Sequence, residues 1–305
     1  MSTLKIGLIG LRGHAERMMH IVDSLENCTI KKIYLHREDQ DVRVVTDIEA
    51  LLDMDIIIQA SPTTFHAEQI NALQSYKGHF FCEKPIALSR ECLKKLRGGL
   101  WNDTFYVNYC FLHSPVGKLL KDVVDSKKYG KLVHFNITFS HPGAHKFKAE
   151  DWRFSRTGGI LNTSLSHMIH FVQSLSTKCY FSKPKCISAL NKGQDTAIVD
   201  ISLNNCHGTL MSTWASVNHV NIQFMFTNAI LQWDGECVTQ TSLNNKFENR
   251  PSKILLEKDI TSNYHESLHN SFATFLKGVT TGTQDPVVKE YAFKTEELLL
   301  DFADQ

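Results

Sequence analysis

Three places in this 305-residue chain pair residue types with chemistry, and the first is a glycine that ends an apolar run. Gly10 closes Leu4–Gly10 (LKIGLIG) and precedes a stretch with helical spacing, Ala15–Leu25. A strand-to-helix turn this tight lets backbone N–H groups at the helix start touch a phosphate. The dinucleotide spacing G-x-G-x-x-G/A maps onto Gly10, Arg12 and Ala15, with Leu11 inside the turn. Arg12 therefore stands where a second glycine would let the phosphates approach, and Gly13 is displaced by one residue. Arg12 either salt-bridges a phosphate or obstructs it. At the end of the second strand, where an acidic group takes the ribose hydroxyls of NAD, the chain has His36-Arg37 before Glu38. A guanidinium there suits a 2′-phosphate, which mildly favours NADP(H) over NAD(H); the alternative is a solvated arginine on an exposed loop.

The second place is Lys84, which follows the strand His79–Glu83 (HFFCE). Open α/β sheets place ligands outside the carboxyl ends of their strands. A lysine held there with little water around it has its pKa lowered enough to exchange a proton near neutrality. Hydride transfer needs such a partner, because a carbinol that loses hydride must also shed its hydroxyl proton. Glu83 is expected to orient nearby groups, and Pro85 to stiffen the turn through a trans or a cis bond. The third place is His167 on an expected helix, Asn162–Leu175, with His170 three residues on. His66, after Ser61-Pro62-Thr63, is either part of the cofactor site or a cap or packing residue. His167/His170 and His265/His269 have helical spacings, but there is no H-E-x-x-H and no convergent cysteine pair, so no metal is expected. A G-x-S-x-G nucleophile elbow is also missing.

The elements that must position these residues alternate strand and helix over the first hundred residues, the pattern of a doubly wound parallel sheet. Strands are expected at Leu4–Gly10, Ile30–His36, Asp55–Ala60, His79–Glu83 and Phe105–Tyr109, with helices between. Asp55–Ala60 (DIIIQA) is a continuous apolar run of the kind buried on both faces. After about residue 110 the pattern changes. A helix, Val116–Ser126, leads to a long strand, Lys131–Ser140, and Lys185–Leu256 alternates strands with turn signals. Two amphipathic helices, Tyr264–Gly278 and Val287–Ala303, close the chain. The expected fold class is α/β: an N-terminal Rossmann doubly wound sheet over 1–112, then an α+β domain with a large, mostly antiparallel sheet over 113–305.

Ser61-Pro62-Thr63-Thr64-Phe65-His66 and, about twenty residues on, Cys82-Glu83-Lys84-Pro85, together with GLIGL at the start, resemble the glucose-fructose oxidoreductase / inositol dehydrogenase (Gfo/Idh/MocA) family. Asp151-Trp152-Arg153 and Gly158-Gly159-Ile160-Leu161 leading to His167 resemble that family's substrate-side loop and helix, and Tyr109 sits where its second domain begins. The resemblance implies that Lys84 is the acid/base and that His167 hydrogen-bonds the reacting oxygen. It implies cofactor contacts from Gly10, Leu11, Arg12, Gly13, His36, Arg37, Ser61, Pro62, Thr63, His66, Glu83 and Lys84. On the substrate side it implies Lys84, Tyr109, Trp152, Arg153, Thr163 and His167, although Trp152 also suits core packing. The chain departs from the family at Thr163, where an aspartate one helical turn before His167 is usual.

Lys+Arg 33 against Asp+Glu 32 gives a net charge of +1, which argues against a nucleic-acid footprint or a polybasic membrane surface. No apolar window approaches the roughly 18 residues of a spanning helix. The start, MSTLKIGLIG, lacks signal-peptide architecture, so a cytoplasmic protein is expected. Its eight cysteines, without any C-x-x-C pair, are expected to be reduced and mostly buried. The expectation is an NAD(P)-dependent dehydrogenase or reductase acting on a small polyol, sugar or nucleotide-sugar, assembled as a homodimer or homotetramer. The rival is a non-catalytic relative that serves as a dinucleotide-binding sensor or scaffold, a reading favoured by Arg12, Ala15 and Thr163.

Overall fold

The computed structural model describes residues 3–98, 104–151, 154, 159–190, 193–204, 206–244, 246–282 and 286–303. Its opening half follows the βα alternation: β1 (Leu4–Ile9), α1 (His14–Asp23), β2 (Cys28–Tyr34), β3 (Val44–Val45), β4 (Ile56–Gln59), α2 (His66–Ala72), β5 (His79–Cys82), α3 (Arg90–Gly98) and β6 (Phe105–Val107). These strands form one parallel sheet in the order β3-β2-β1-β4-β5-β6. The chain order reverses on either side of β1, which creates the switch point where such sheets bind ligands. Ile56, Ile57 and Ile58 are fully buried, as a run covered on both faces requires. Helix α1 buries Ala15, Met18 and Val22 at helical spacing against the same core. β3 is two residues long and was not expected from the sequence.

The later part begins with α4 (Pro115–Ser126), started by the Ser114 hydroxyl accepting from Gly117 N at 2.8 Å and by proline at the first helical position. It continues through β7 (Leu132–Ser140), the short α5 (Gly143–Lys146), a π-turn (Leu161–Leu165), α6 (Ser166–Ser174), β8 (Cys179–Phe181), β9 (Lys185–Ile187), β10 (Thr196–Leu203), β11 (Cys206–Thr213), β12 (His219–Phe226), β13 (Ala229–Trp233), β14 (Cys237–Ser242) and β15 (Lys253–Glu257). The strands make a nine-stranded sheet in the order β15-β14-β13-β12-β7-β11-β10-β8, with β9 also on β10. All pairs are antiparallel except β7 with β11. In β12, Val220, Ile222, Phe224 and Phe226 are buried and the residues between them are not, the alternation of a sheet covered on one face.

Two helices close the chain, α7 (Ile260–Thr281) and α8 (Pro286–Ala303). The chain divides into two compact units, Met1–Asn108 with Phe272–Leu300, and Tyr109–Ser271 with Asp301–Gln305. The division falls slightly earlier than the expected 1–112, and residues 272–300, expected in the second domain, belong to the first unit. Packing gives the reason. Phe272 and Phe275 of α7 lie against Phe81, ring centroids 5.2 and 5.3 Å away, and Phe275 also meets Tyr106. An amphipathic helix announces that it covers something apolar; its own sequence does not say which sheet.

No helix among the described residues is long and apolar enough to cross a membrane. Cys28, Cys82, Cys110 and Cys206 are buried and the other four cysteines are half-buried, and none of the eight is in a disulfide among the described residues.

Candidate active site

In the first unit the glycine turn has the required backbone. Gly10 has φ +107°, and a Cβ there would press on the Ala60 carbonyl oxygen at 3.0 Å, so the close approach of the turns after β1 and β4 requires glycine. Gly13 has φ +62° and serves as the N-cap of α1 with no side-chain cap; nothing lies within 4 Å of its Cβ position. Uncapped N–H groups at an open helix start fit the phosphates of a dinucleotide. Leu11 leans on the sheet core, whereas Arg12 is exposed and makes no ion pair among the described residues. His36 and Arg37 lie exposed beyond the end of β2. His36 is held by the Tyr34 hydroxyl, 3.0 Å from Nδ1, and its ring lies 5.1 Å from that of Phe65.

The turn after β4 is tied from within. Ser61 Oγ donates to Gln69 Oε1 at 2.6 Å, and the buried Gln59 donates to Gln69 Oε1 and to the His66 carbonyl. Pro62 is exposed and Thr63 half-buried, at the start of a single 3₁₀ turn. His66 is only 1% exposed, and its two ring nitrogens face the carbonyls of Ser61 and Pro85, each at 2.9 Å. Burial pushes its pKa down, opposed by those two carbonyls and by Glu83. His66 therefore clasps the Ser61 turn to the Lys84 turn, and its ring nitrogens are already engaged by the protein.

At the end of β5, Glu83 is buried and receives two donors on one oxygen: His14 Nε2 at 2.7 Å and Asn108 Nδ2 at 2.5 Å. Burial alone would raise its pKa; the charge and hydrogen bond of His14, the Asn108 amide and the Lys84 ammonium together hold it below the usual carboxylate range. Lys84 follows, half-buried, and the Lys84–Pro85 peptide is cis. The next amide, Ile86 N, donates to Glu296 Oε2 at 3.2 Å, a carboxylate on α8 that is 1% exposed. His14, Asn108 and Glu296 were missed in the sequence. His14 and Asn108 left a faint signal, as polar residues directly after Gly13 and directly after an apolar strand.

In the second unit, Tyr109 is buried and stacks on His170, centroids 4.5 Å apart at 9°. Its edge faces His167 at 6.1 Å, and Cys110 Sγ lies 3.9 Å from His167 Nδ1. His167 is half-buried in the first turn of α6, directly after the π-turn. The sequence predicts an unbroken α-helix over Asn162–Leu175; the extra residue of the π-turn changes the phase of everything before Ser166, a feature frequent at functional sites. Thr163 lies in that turn with its hydroxyl donating to the Gly159 carbonyl at 3.0 Å. Trp152 and Arg153 lie outside the described residues. No group of three or more His, Cys, Asp or Glu that could hold a metal occurs among the described residues.

A parallel sheet with a glycine-opened phosphate turn, followed by a unit built on a large mixed sheet, is the architecture of an oxidoreductase with an NAD-binding Rossmann domain. The family comparisons agree: the model described as "Oxidoreductase family, NAD-binding Rossmann fold" matches residues 4–97, and that of the "GFO/IDH/MocA C-terminal domain" matches residues 118–232. The chain belongs to the Gfo/Idh/MocA family. It is 26% identical over 191 residues to glucose-6-phosphate 3-dehydrogenase of Bacillus subtilis (strain 168), covering 55% of this chain and 52% of that one. It is 29% identical over 134 residues to inositol 2-dehydrogenase of Rhizobium meliloti (strain 1021), covering 42% of this chain and 38% of the relative. The chain thus spans about half the length, or less, of these curated relatives. A levoglucosan dehydrogenase in complex with NADH shares the fold, with a TM-score of 0.82 at 15% identity over 99% of this chain and 97% of that one.

Proposed function

We propose that this chain is an NAD(P)-dependent oxidoreductase that moves a hydride between nicotinamide and a hydroxyl-bearing or keto carbon of a sugar, inositol or nucleotide-sugar-like molecule. The observation that carries the reading is the Glu83-Lys84-Pro85 turn at the carboxyl end of β5, tied through Glu83 to the helix that follows the open glycine turn. Bound nicotinamide supplies or takes the hydride. Lys84 takes the proton shed by the carbinol oxygen in oxidation and returns it in reduction, while His167 holds and polarises that oxygen. Arg37, exposed beyond β2, supports a mild preference for NADP(H). The names of the relatives point to carbohydrate or inositol substrates. The same reading has the protein act in the cytoplasm as a homodimer or homotetramer.

A second reading, a dinucleotide-binding sensor without turnover, is favoured by Thr163, whose hydroxyl is turned to the Gly159 carbonyl at the position where the family resemblance implies an aspartate. Titration with NADPH and NADH, read by nicotinamide fluorescence, followed by turnover with glucose 6-phosphate, myo-inositol and levoglucosan, separates the two. Binding with turnover that falls roughly 10²–10⁴-fold in Lys84→Ala supports the enzyme. Binding without turnover supports the sensor, and full turnover by Lys84→Ala discards the proton route.

A further inference from the structure

The Glu83 carboxylate is used asymmetrically. Both of its donors, His14 Nε2 and Asn108 Nδ2, converge on Oε1, and Oε2 has no hydrogen-bond partner among the described residues. A carboxylate offers about four lone-pair sites, and Oε2, which is not among the fully buried unpartnered side-chain atoms, keeps its acceptor capacity open to solvent. Glu83 is 9% exposed, so that access is narrow. Its orientation is set from α1. His14 is the first residue of that helix, immediately after Gly13, and spans 69 positions of sequence to reach Glu83.

The sheet order supplies the other half of the argument. β1 and β4 flank the switch point, and β5 and β6 lie on the far side of it from β2 and β3. A dinucleotide with its phosphates at the start of α1 lays one nucleoside toward β2 and the other toward β4 and β5. His36 and Arg37 sit at the first end, Glu83 and Asn108 at the second.

We propose that His14 is a positioning residue that pins Oε1 of Glu83 and thereby presents Oε2 to a ribose hydroxyl on the nicotinamide side of the bound dinucleotide. The proposal rests on the dinucleotide-binding reading above. It also gives a chemical meaning to the altered glycine turn: with Gly13 directly before the helix, the first helical side chain is the one that sets the acceptor. The ring of His14 then acts through Glu83 and need not touch the cofactor.

Calorimetric titration of the full chain with NADH, ADP-ribose and ADP tests it, because ADP-ribose keeps the second ribose and ADP lacks it. His14→Leu is expected to weaken NADH and ADP-ribose together by roughly tenfold or more, with ADP changed less than about threefold. His14→Gln, whose amide can donate to Oε1, is expected to recover most of the loss. Equal weakening of all three ligands would mean a general disturbance of the turn and would overturn the proposal, as would unchanged binding in His14→Leu. If His14→Leu does not fold, His14→Phe keeps the ring volume without the donor and gives the same comparison. Wild-type protein that binds neither these three nor NADPH overturns the dinucleotide reading itself, an outcome distinct from wild-type binding that is indifferent to position 14.

Discussion

The Lys84 turn in the first unit and the His167 segment in the second hold their key side chains by different means. Around Lys84 the framework is polar and buried: Glu83 takes two donors, His66 joins two carbonyls, and Glu296 takes the amide of Ile86. Around His167 the contacts include a π-turn directly before it, the edge of Tyr109 at 6.1 Å and the Cys110 thiol at 3.9 Å. Hydrogen bonds to a buried carboxylate are directional and costly to break when one partner is lost. Ring stacking and turn geometry tolerate adjustment. The first region therefore fixes its side chains tightly, and the second leaves them more room to adjust.

Glu83→Leu should break the first region most severely. It leaves His14 Nε2 and Asn108 Nδ2 without their acceptor, and losing one side of a buried charged contact costs about 3–5 kcal/mol. Urea unfolding should show that loss, and Glu83→Gln, which keeps an acceptor oxygen for Asn108, should show clearly less. A loss below about 1 kcal/mol in Glu83→Leu would mean that the two donors find water and that the contrast between the regions is overstated.

The next effect belongs to the second unit and is a pH dependence. His113 is 6% exposed, and burial, with a smaller contribution from the Lys118 charge, pushes its pKa down from 6.5 to about 4. The folded state thus keeps it neutral where the unfolded chain protonates it. Stability is full above about pH 6.5 and falls as the pH drops toward 4, by up to about 3 kcal/mol from this group. In His113→Leu that part of the acid slope should vanish, so the gap between wild type and variant narrows between pH 6.5 and 4. Parallel stability curves over that range would place the acid sensitivity in other buried histidines, such as His66, lowered chiefly by burial.

These contrasts also explain what could be read from residues alone. The Gly10 turn, the Ser61–His66 turn and Glu83-Lys84-Pro85 are local strand-end features, and a strand, a turn and a helix start declare themselves within a few residues. The parallel order of the first sheet follows from the same alternation. The partners of Glu83 do not, because His14 and Asn108 arrive from turns 69 and 25 residues away and only the folded sheet brings them together. Phe272 and Phe275 show the same limit on a larger scale, since a helical stripe carries no label for the unit that it covers. The π-turn escapes because its pattern, LNTSL, reads as ordinary helix until one hydrogen-bonded turn widens.

The mildest test asks what keeps that π-turn in place. Ser164 is the fourth of its five residues, and its hydroxyl accepts from Trp214 Nε1 at 2.9 Å, an indole that is 2% exposed directly after β11. This is a neutral bond from an otherwise well-packed ring, which also meets Phe147 and Phe154 edge-on. Ser164→Ala removes the acceptor and leaves a buried N–H, for which about 1–2 kcal/mol is the expected loss in urea unfolding. The indole keeps its packing, so the turn should persist and nicotinamide titrations should change by less than about twofold, since the cofactor contacts assigned above lie in the first unit. The imidazole resonances of His167, followed by NMR, give the finer reading. If they shift in Ser164→Ala while stability barely moves, the turn is a soft element set by one hydroxyl. If both stay put, the Trp214 bond is not what holds the turn, and its other contacts, the Thr163 hydroxyl on the Gly159 carbonyl among them, carry it.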